Sequence, residues 1–61
     1  MGRDFFARDD WVVTTYNEND EIIESYIIEN RTHKEAAKEA MSSPEVQASD
    51  DWTLMPRKAE L

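Results

Sequence analysis

Apolar residues are concentrated in particular stretches of the chain, and the pattern differs from one stretch to the next. Residues 10–16 are almost entirely β-branched or aromatic, and residues 21–29 are rich in isoleucine. Such side chains favour the pleated, half-buried surface of a sheet. The segment 17–20 between them contains Asn and Asp, which make side-chain turns and tolerate positive φ. The pattern therefore predicts a β-hairpin.

The register of this hairpin depends on the length of its loop. A two-residue turn or a four-residue loop sets Trp11 opposite Tyr26, whereas a three-residue loop sets Val12 opposite Tyr26. Both faces carry apolar residues, so hydrophobicity alone leaves both registers open. One face has Val12, Tyr16, Ile23 and Ile27, and the other has Trp11, Val13, Ile22, Tyr26 and Ile28.

Helix signals follow the hairpin. Thr32 and Glu35 have the spacing of a capping box, in which each side chain binds the other residue's backbone N–H. The next residues are rich in Ala, Glu, Lys and Met, so we predict a helix from His33 to about Ser42. The apolar face of this helix is predicted to contain Ala36, Ala37, Ala40 and Met41.

Two further elements are predicted after this helix. Ser43 and Pro44 have the composition of a second helix start, which predicts one more helical turn through Gln47. Residues 51–55 predict a third strand, which Pro56 closes because proline cannot donate to a strand ladder.

The element order β-β-α-β predicts one small α+β domain over residues 9–57. A leader over residues 1–8 and a polar tail over 58–61 flank it, and their ends are expected to fray. Phe5 and Phe6 of the leader are expected to pack on the domain. We predict a mostly antiparallel three-stranded sheet in the order 2-1-3, because this order centres the most β-prone segment. A third strand parallel to the second is the alternative. The single helix packs on one face.

Composition excludes several classes of protein. The chain has no cysteine, so neither a disulfide framework nor a thiolate zinc site stabilises the fold. No apolar run has the length of a membrane span, and a single glycine leaves no glycine-rich phosphate loop. We expect a cytoplasmic protein with no cofactor.

The charge of the chain is strongly negative. Fourteen Asp and Glu residues against seven Lys and Arg give a net charge of −7. Residues 9–51 carry −9, because twelve acids stand against three bases there. This balance disfavours direct contact with nucleic acid or with a membrane surface of anionic lipid, both of which require a cationic protein surface.

Two features were candidates for chemistry. The tripeptide Asp-Asp-Trp occurs at residues 9–11 and 50–52, and paired carboxylates are ligands for Ca²⁺ or Mg²⁺. In the order 2-1-3, however, the two pairs lie at opposite ends of the sheet. His33, the only histidine, has neither a nucleophile nor a second ligand beside it in the sequence. We therefore expect neither a metal site nor an enzyme.

The acidic surface favours a protein–protein interaction module that binds or occludes a basic surface of a partner protein, including one that binds nucleic acid. Phage accessory proteins offer an analogy of size and composition only. A charge that merely keeps the chain in solution is the simpler explanation. The candidate partner-binding residues are Glu18, Asp20, Glu21 and Glu24.

Assembly into a homodimer is the alternative function. A chain of this length without disulfides has a small core, and one helix covers only one face of a sheet. Each large apolar side chain left in water forgoes roughly 1.5–3 kcal/mol of burial. We expect a dimer whose candidate face contains Trp11, Val13, Ile22, Tyr26 and Ile28.

Overall fold

The computed structural model describes residues 7–60, with side chains for residues 7–58. Strands β2, β1 and β3 form an antiparallel sheet in that order, which confirms the predicted α+β class and strand order. Phe5 and Phe6 lie outside the described residues. The elements are β1 (Asp9–Tyr16), β2 (Ile22–Arg31), α1 (His33–Met41), α2 (Pro44–Gln47), β3 (Asp51–Pro56) and a final 3-10 turn (Arg57–Glu60).

Next to the loop, the hairpin has the register of the three-residue loop, with Tyr16 opposite Ile22. Beyond the extra residue Ile23 the pairing is shifted by one residue, so Val13 lies opposite Tyr26 and Trp11 lies opposite Ile28. The connection between β1 and β2 is longer than predicted, since β2 begins only at Ile22. The two apolar sets of the hairpin nevertheless lie on opposite faces of the sheet, as predicted. Ile22 is the exception, because it pairs with Tyr16 and so lies on the same face as Val12 and Ile27.

A single asparagine side chain explains this longer loop. Asn17 Oδ1 accepts hydrogen bonds from the backbone N–H groups of Asn19 (2.8 Å) and Glu21 (3.0 Å). The backbone N–H of Asn17 donates to the carbonyl of Glu21 at 2.9 Å, and Asp20 adopts φ 63°. Residues 17–21 therefore form a closed loop. Next to this loop, Ile23 is an extra residue of β2 that has no partner in β1.

A second irregularity lies at the other end of the hairpin. The pairing shifts between Asp9–Arg31 and Trp11–Ile28, and Asn30 has φ 58°, a conformation that asparagine tolerates better than most residues. The backbone N–H of Asn30 donates to the side chain of Asp10 in β1, at 3.1 Å from Oδ1, instead of to a backbone carbonyl of that strand. Regular pairing of β2 with β1 is thus limited to residues 24–28.

Helix α1 packs on the sheet face that carries Trp11, Val13 and Thr15, all of which are buried. Ala36 and Ala40 of α1 are fully buried there, as expected for small side chains that let a helix lie close to a sheet. The core consists of Trp11, Val13, Ile28, Ala36, Ala40 and Val46, with Tyr26, Trp52 and Leu54 packed against it.

One residue of the predicted helix face departs from expectation, and α2 adds a core residue that was not predicted. Met41 is 55% exposed, because it follows Ala40 by one residue and a helix turns about 100° per residue away from the buried stripe. Val46 of α2 is buried and contributes to the core. The α1–α2 junction is held by Ser43 Oγ, which accepts from the Tyr26 hydroxyl at 3.0 Å and donates to the carbonyl of Ala40 at 2.7 Å.

The predicted dimer face requires correction. Trp11, Val13 and Ile28 are buried and Tyr26 is half-buried within one copy of the chain, so they are not free to contact another copy. The contacts of Trp11 show why this face is covered. Its indole N–H donates to the carbonyl of Arg31 at 2.8 Å, and its ring meets His33 edge-on at 5.1 Å, where α1 begins.

The capping box at the start of α1 has both of its hydrogen bonds and provides a test of the fold. Thr32 Oγ1 accepts from the backbone N–H of Glu35 at 3.2 Å, and Glu35 Oε1 accepts from that of Thr32 at 3.1 Å. Thr32→Ala should lower the free energy of unfolding by about 1 kcal/mol, whereas Thr32→Ser should retain most of it. Urea denaturation checks this, and equal midpoints for Thr32→Ala and the parent would contradict the assigned cap.

Candidate functional site

The sheet face opposite α1 is not covered by any element among residues 7–58, and we call it the open face. Cross-strand pairing arranges its residues in three successive rows that run from β2 through β1 to β3. The rows are Ile27–Val12–Met55, Ser25–Thr14–Thr53 and Ile22–Tyr16–Asp51.

Large apolar side chains are exposed on the open face. Ile22, Ile23, Ile27 and Met55 are 66%, 52%, 45% and 42% exposed. Monomeric proteins tolerate single exposed apolar residues, but a group of them on one face is typical of an interaction surface. The open face largely matches the apolar set Val12, Tyr16, Ile23 and Ile27, which the sequence separates from the buried set but does not identify as the exposed one.

Six exposed carboxylates lie at one end of the sheet, and we call this group the acidic end. The β1–β2 loop and the start of β3 meet here, because Asp51 pairs with Tyr16 and the backbone N–H of Asp50 donates to the Tyr16 carbonyl at 3.0 Å. The residues are Glu18, Asp20, Glu21, Glu24, Asp50 and Asp51.

The sequence analysis predicts four of these six residues, Glu18, Asp20, Glu21 and Glu24, as partner-binding residues. It does not predict Asp50 and Asp51, which stand out in the sequence only as part of a repeated tripeptide. The strand order 2-1-3 contains the missing signal, since an antiparallel β3 must begin beside the end of β1. The two Asp-Asp pairs lie apart as expected, because Asp9 begins β1 whereas Asp51 lies beside its last residue, Tyr16.

The ion pairs of the described residues all lie away from the acidic end. Arg57 and Lys58 pair with Asp10 and Asp9 at 3.8 Å and 3.3 Å, beside the start of β1. Two more involve acids of α1, with Arg8–Glu35 at 3.5 Å and Arg31–Glu39 at 3.3 Å. Among residues 7–58, no Lys or Arg pairs with a carboxylate of the acidic end.

Two of the paired carboxyl groups have lowered pKa values. The backbone N–H of Asp10 donates to Asp9 at 2.8 Å and, together with Lys58, lowers the pKa of Asp9. The backbone N–H of Thr32 lowers the pKa of Glu35, with a smaller effect from Arg8. Both groups therefore stabilise the fold above their unfolded pKa, and this contribution is lost as pH falls through the folded pKa.

Among the side chains of residues 7–58, no three His, Cys, Asp or Glu residues come together in a way that could hold a metal ion. Two open depressions of about 410 Å³ and 290 Å³ are lined by Ser42 and by charged residues, and most of these charged residues belong to the ion pairs above. No helix within residues 7–60 has both the length and the apolar character needed to cross a membrane.

Comparisons of the chain with protein-family models, with curated proteins and with solved structures gave no match. Conclusions about function therefore depend on two features of this molecule, the acidic end and the open face.

The lowered pKa of Asp9 provides a test of the ion pairs beside the start of β1. In Lys58→Gln, the pKa of the Asp9 carboxyl should rise but stay below its ordinary value, because the backbone N–H of Asp10 is the larger cause. An NMR titration of the Asp9 carboxyl carbon measures this pKa. Arg57→Gln is the control, since Arg57 pairs with Asp10 instead. An ordinary pKa in Lys58→Gln would contradict the role of the backbone donor.

Proposed function

We propose that this protein is a protein–protein interaction module whose acidic end binds a basic surface of a partner protein. One observation carries the proposal. Four of the six bases among residues 7–58 are ion-paired with acids elsewhere, while the six carboxylates of the acidic end have no such pair. The negative potential of the molecule is therefore concentrated at one end of the sheet.

The Asn17 loop makes this charge suitable for recognition. Glu18, Asp20 and Glu21 belong to a loop that the Asn17 side chain closes with two hydrogen bonds to backbone N–H groups. Asn17 Nδ2 also donates to Glu21 Oε1 at 3.0 Å, which fixes one of the carboxylates. A loop that is ordered before binding loses less conformational entropy when a partner binds.

The chemistry of the partner follows from the charge. Clustered carboxylates attract surfaces rich in Lys and Arg, speed association and suppress binding to acidic proteins. Proteins whose basic surface holds DNA or RNA are one such class, because that surface is built to bind regularly spaced anions. We propose that the interaction takes place in the cytoplasm, since a chain without cysteine has no need of an oxidising compartment.

Neutralising the acidic end tests the proposal. In the combined variant Glu18→Gln, Asp20→Asn, Glu21→Gln and Glu24→Gln, binding should weaken and its salt dependence should flatten. The fold should persist, because Gln keeps the oxygen that accepts from Asn17 and Asn tolerates the positive φ of Asp20. The measurement is capture of partners from an extract of the source cells over a series of salt concentrations, followed by affinity measurements on the purified partner.

A charge-matched pair of variants separates position from net charge. Glu18→Gln with Glu24→Gln removes two charges from the acidic end, and Glu29→Gln with Glu39→Gln removes two from elsewhere. The first pair should weaken binding more than the second. Equal effects, or binding that strengthens as salt is added, would overturn the proposal.

Assembly into a homodimer is a second candidate function, and the exposed apolar side chains of the open face favour it. The interface would then be the open face and not the buried set predicted from the sequence. Two copies with a net charge of −7 each repel, so a dimer of this kind should strengthen as salt screens the charge. Sedimentation equilibrium at low and high salt measures this, and a monomer at both would eliminate the candidate.

A further inference from the structure

We infer that the open face and the acidic end form one continuous docking surface for a basic amphipathic α-helix of a partner protein. This inference rests on the proposed function. It adds an apolar contact to the electrostatic contact and specifies that the partner segment is a helix. Support comes from the border that the two surfaces share, from the dimensions of the open face and from the balance of charge.

The apolar and acidic surfaces share a border. The row Ile22–Tyr16–Asp51 belongs to the open face and ends in a carboxylate of the acidic end. Glu21, the last residue of the loop, directly precedes Ile22, and both are exposed. A partner segment that covers this row therefore contacts apolar side chains and carboxylates at the same time.

The dimensions of the open face match one helix. The six residues of β3 span roughly 20 Å, and three strands at about 4.8 Å spacing are roughly 14 Å wide. An α-helix of about 13 residues is roughly 20 Å long and about 10 Å in diameter. The nine-residue helix α1 already packs in this manner on the other face, which shows that one helix suits a sheet of this width.

Charge favours a basic helix over a second copy. Two copies would bring together chains that carry −7 each. A helix with Lys or Arg at one end contacts the open face and the acidic end together, which enlarges the interface and pairs the carboxylates.

Synthetic peptides of about 14 residues test the inference directly. The probe has Leu at positions i, i+3, i+4 and i+7 of a helix and Lys at the remaining positions. A second peptide replaces Leu with Ser and keeps the charge, and a third replaces Lys with Glu and keeps the apolar stripe. Fluorescence anisotropy of the labelled peptides measures affinity, and the Leu–Lys peptide should bind at least about tenfold more tightly than either control.

Substitutions then locate the bound peptide. Ile27→Thr with Met55→Thr removes apolar surface from the open face and keeps a residue type that strands accept. This variant should bind the Leu–Lys peptide about tenfold more weakly. Met41→Ser is the control for loss of an exposed apolar side chain elsewhere, because Met41 is 55% exposed on α1, and it should bind as the parent does. Circular dichroism confirms that each variant is folded.

The outcomes separate this inference from the proposed function. Equal affinity of the Leu–Lys and Ser–Lys peptides, with no effect of the open-face variant, would overturn the inference and leave the electrostatic proposal standing. Unchanged binding after neutralisation of the acidic end would overturn the proposed function as well. A dimer of the free protein that Ile27→Thr with Met55→Thr dissociates would identify a second copy as the occupant and overturn the inference.

Discussion

The register of the β1–β2 hairpin determines which apolar residues this protein buries. Asn17 accepts from two backbone N–H groups and closes a loop beside the pair Tyr16–Ile22, and the extra residue Ile23 then shifts the remaining pairs by one residue. A slip of one residue would place Ile27 on the same face as Trp11 and Val13, and Ile28 in water. The sheet faces, the position of α1 and the exposed surface all depend on this register.

The same loop connects fold and function. Its five residues are all polar, and three of them carry carboxylates that form no ion pair with the Lys and Arg residues of the described chain. At the opposite end of the sheet, Arg57 and Lys58 are held beside the start of β1. Surface ion pairs of this kind contribute little to stability, so their larger effect is to determine where negative potential remains.

Local signals in the sequence predicted the elements well, and long-range packing explains what they missed. Thr32 with Glu35, and Ser43 with Pro44, are complete capping signals within a few residues, and both helices begin where these signals indicate. The sequence leaves the hairpin register open, because the register depends on how the Asn17 side chain closes its loop and on the extra residue at Ile23. Contacts between distant elements determine which sheet face α1 covers. They also bring Asp50 and Asp51 next to the hairpin loop.

The two irregularities in β2 have a consequence for the behaviour of the protein at high concentration. As the outer strand of the sheet, β2 presents unpaired backbone groups beside exposed isoleucines, a combination that promotes intermolecular strand pairing and fibril growth. The extra residue at Ile23 and the left-handed Asn30 interrupt the strand at both ends. Only five regular residues remain as a template, and Glu24 is one of them. An edge this short and charged is a poor template for the pairing of β2 with a second copy of the chain.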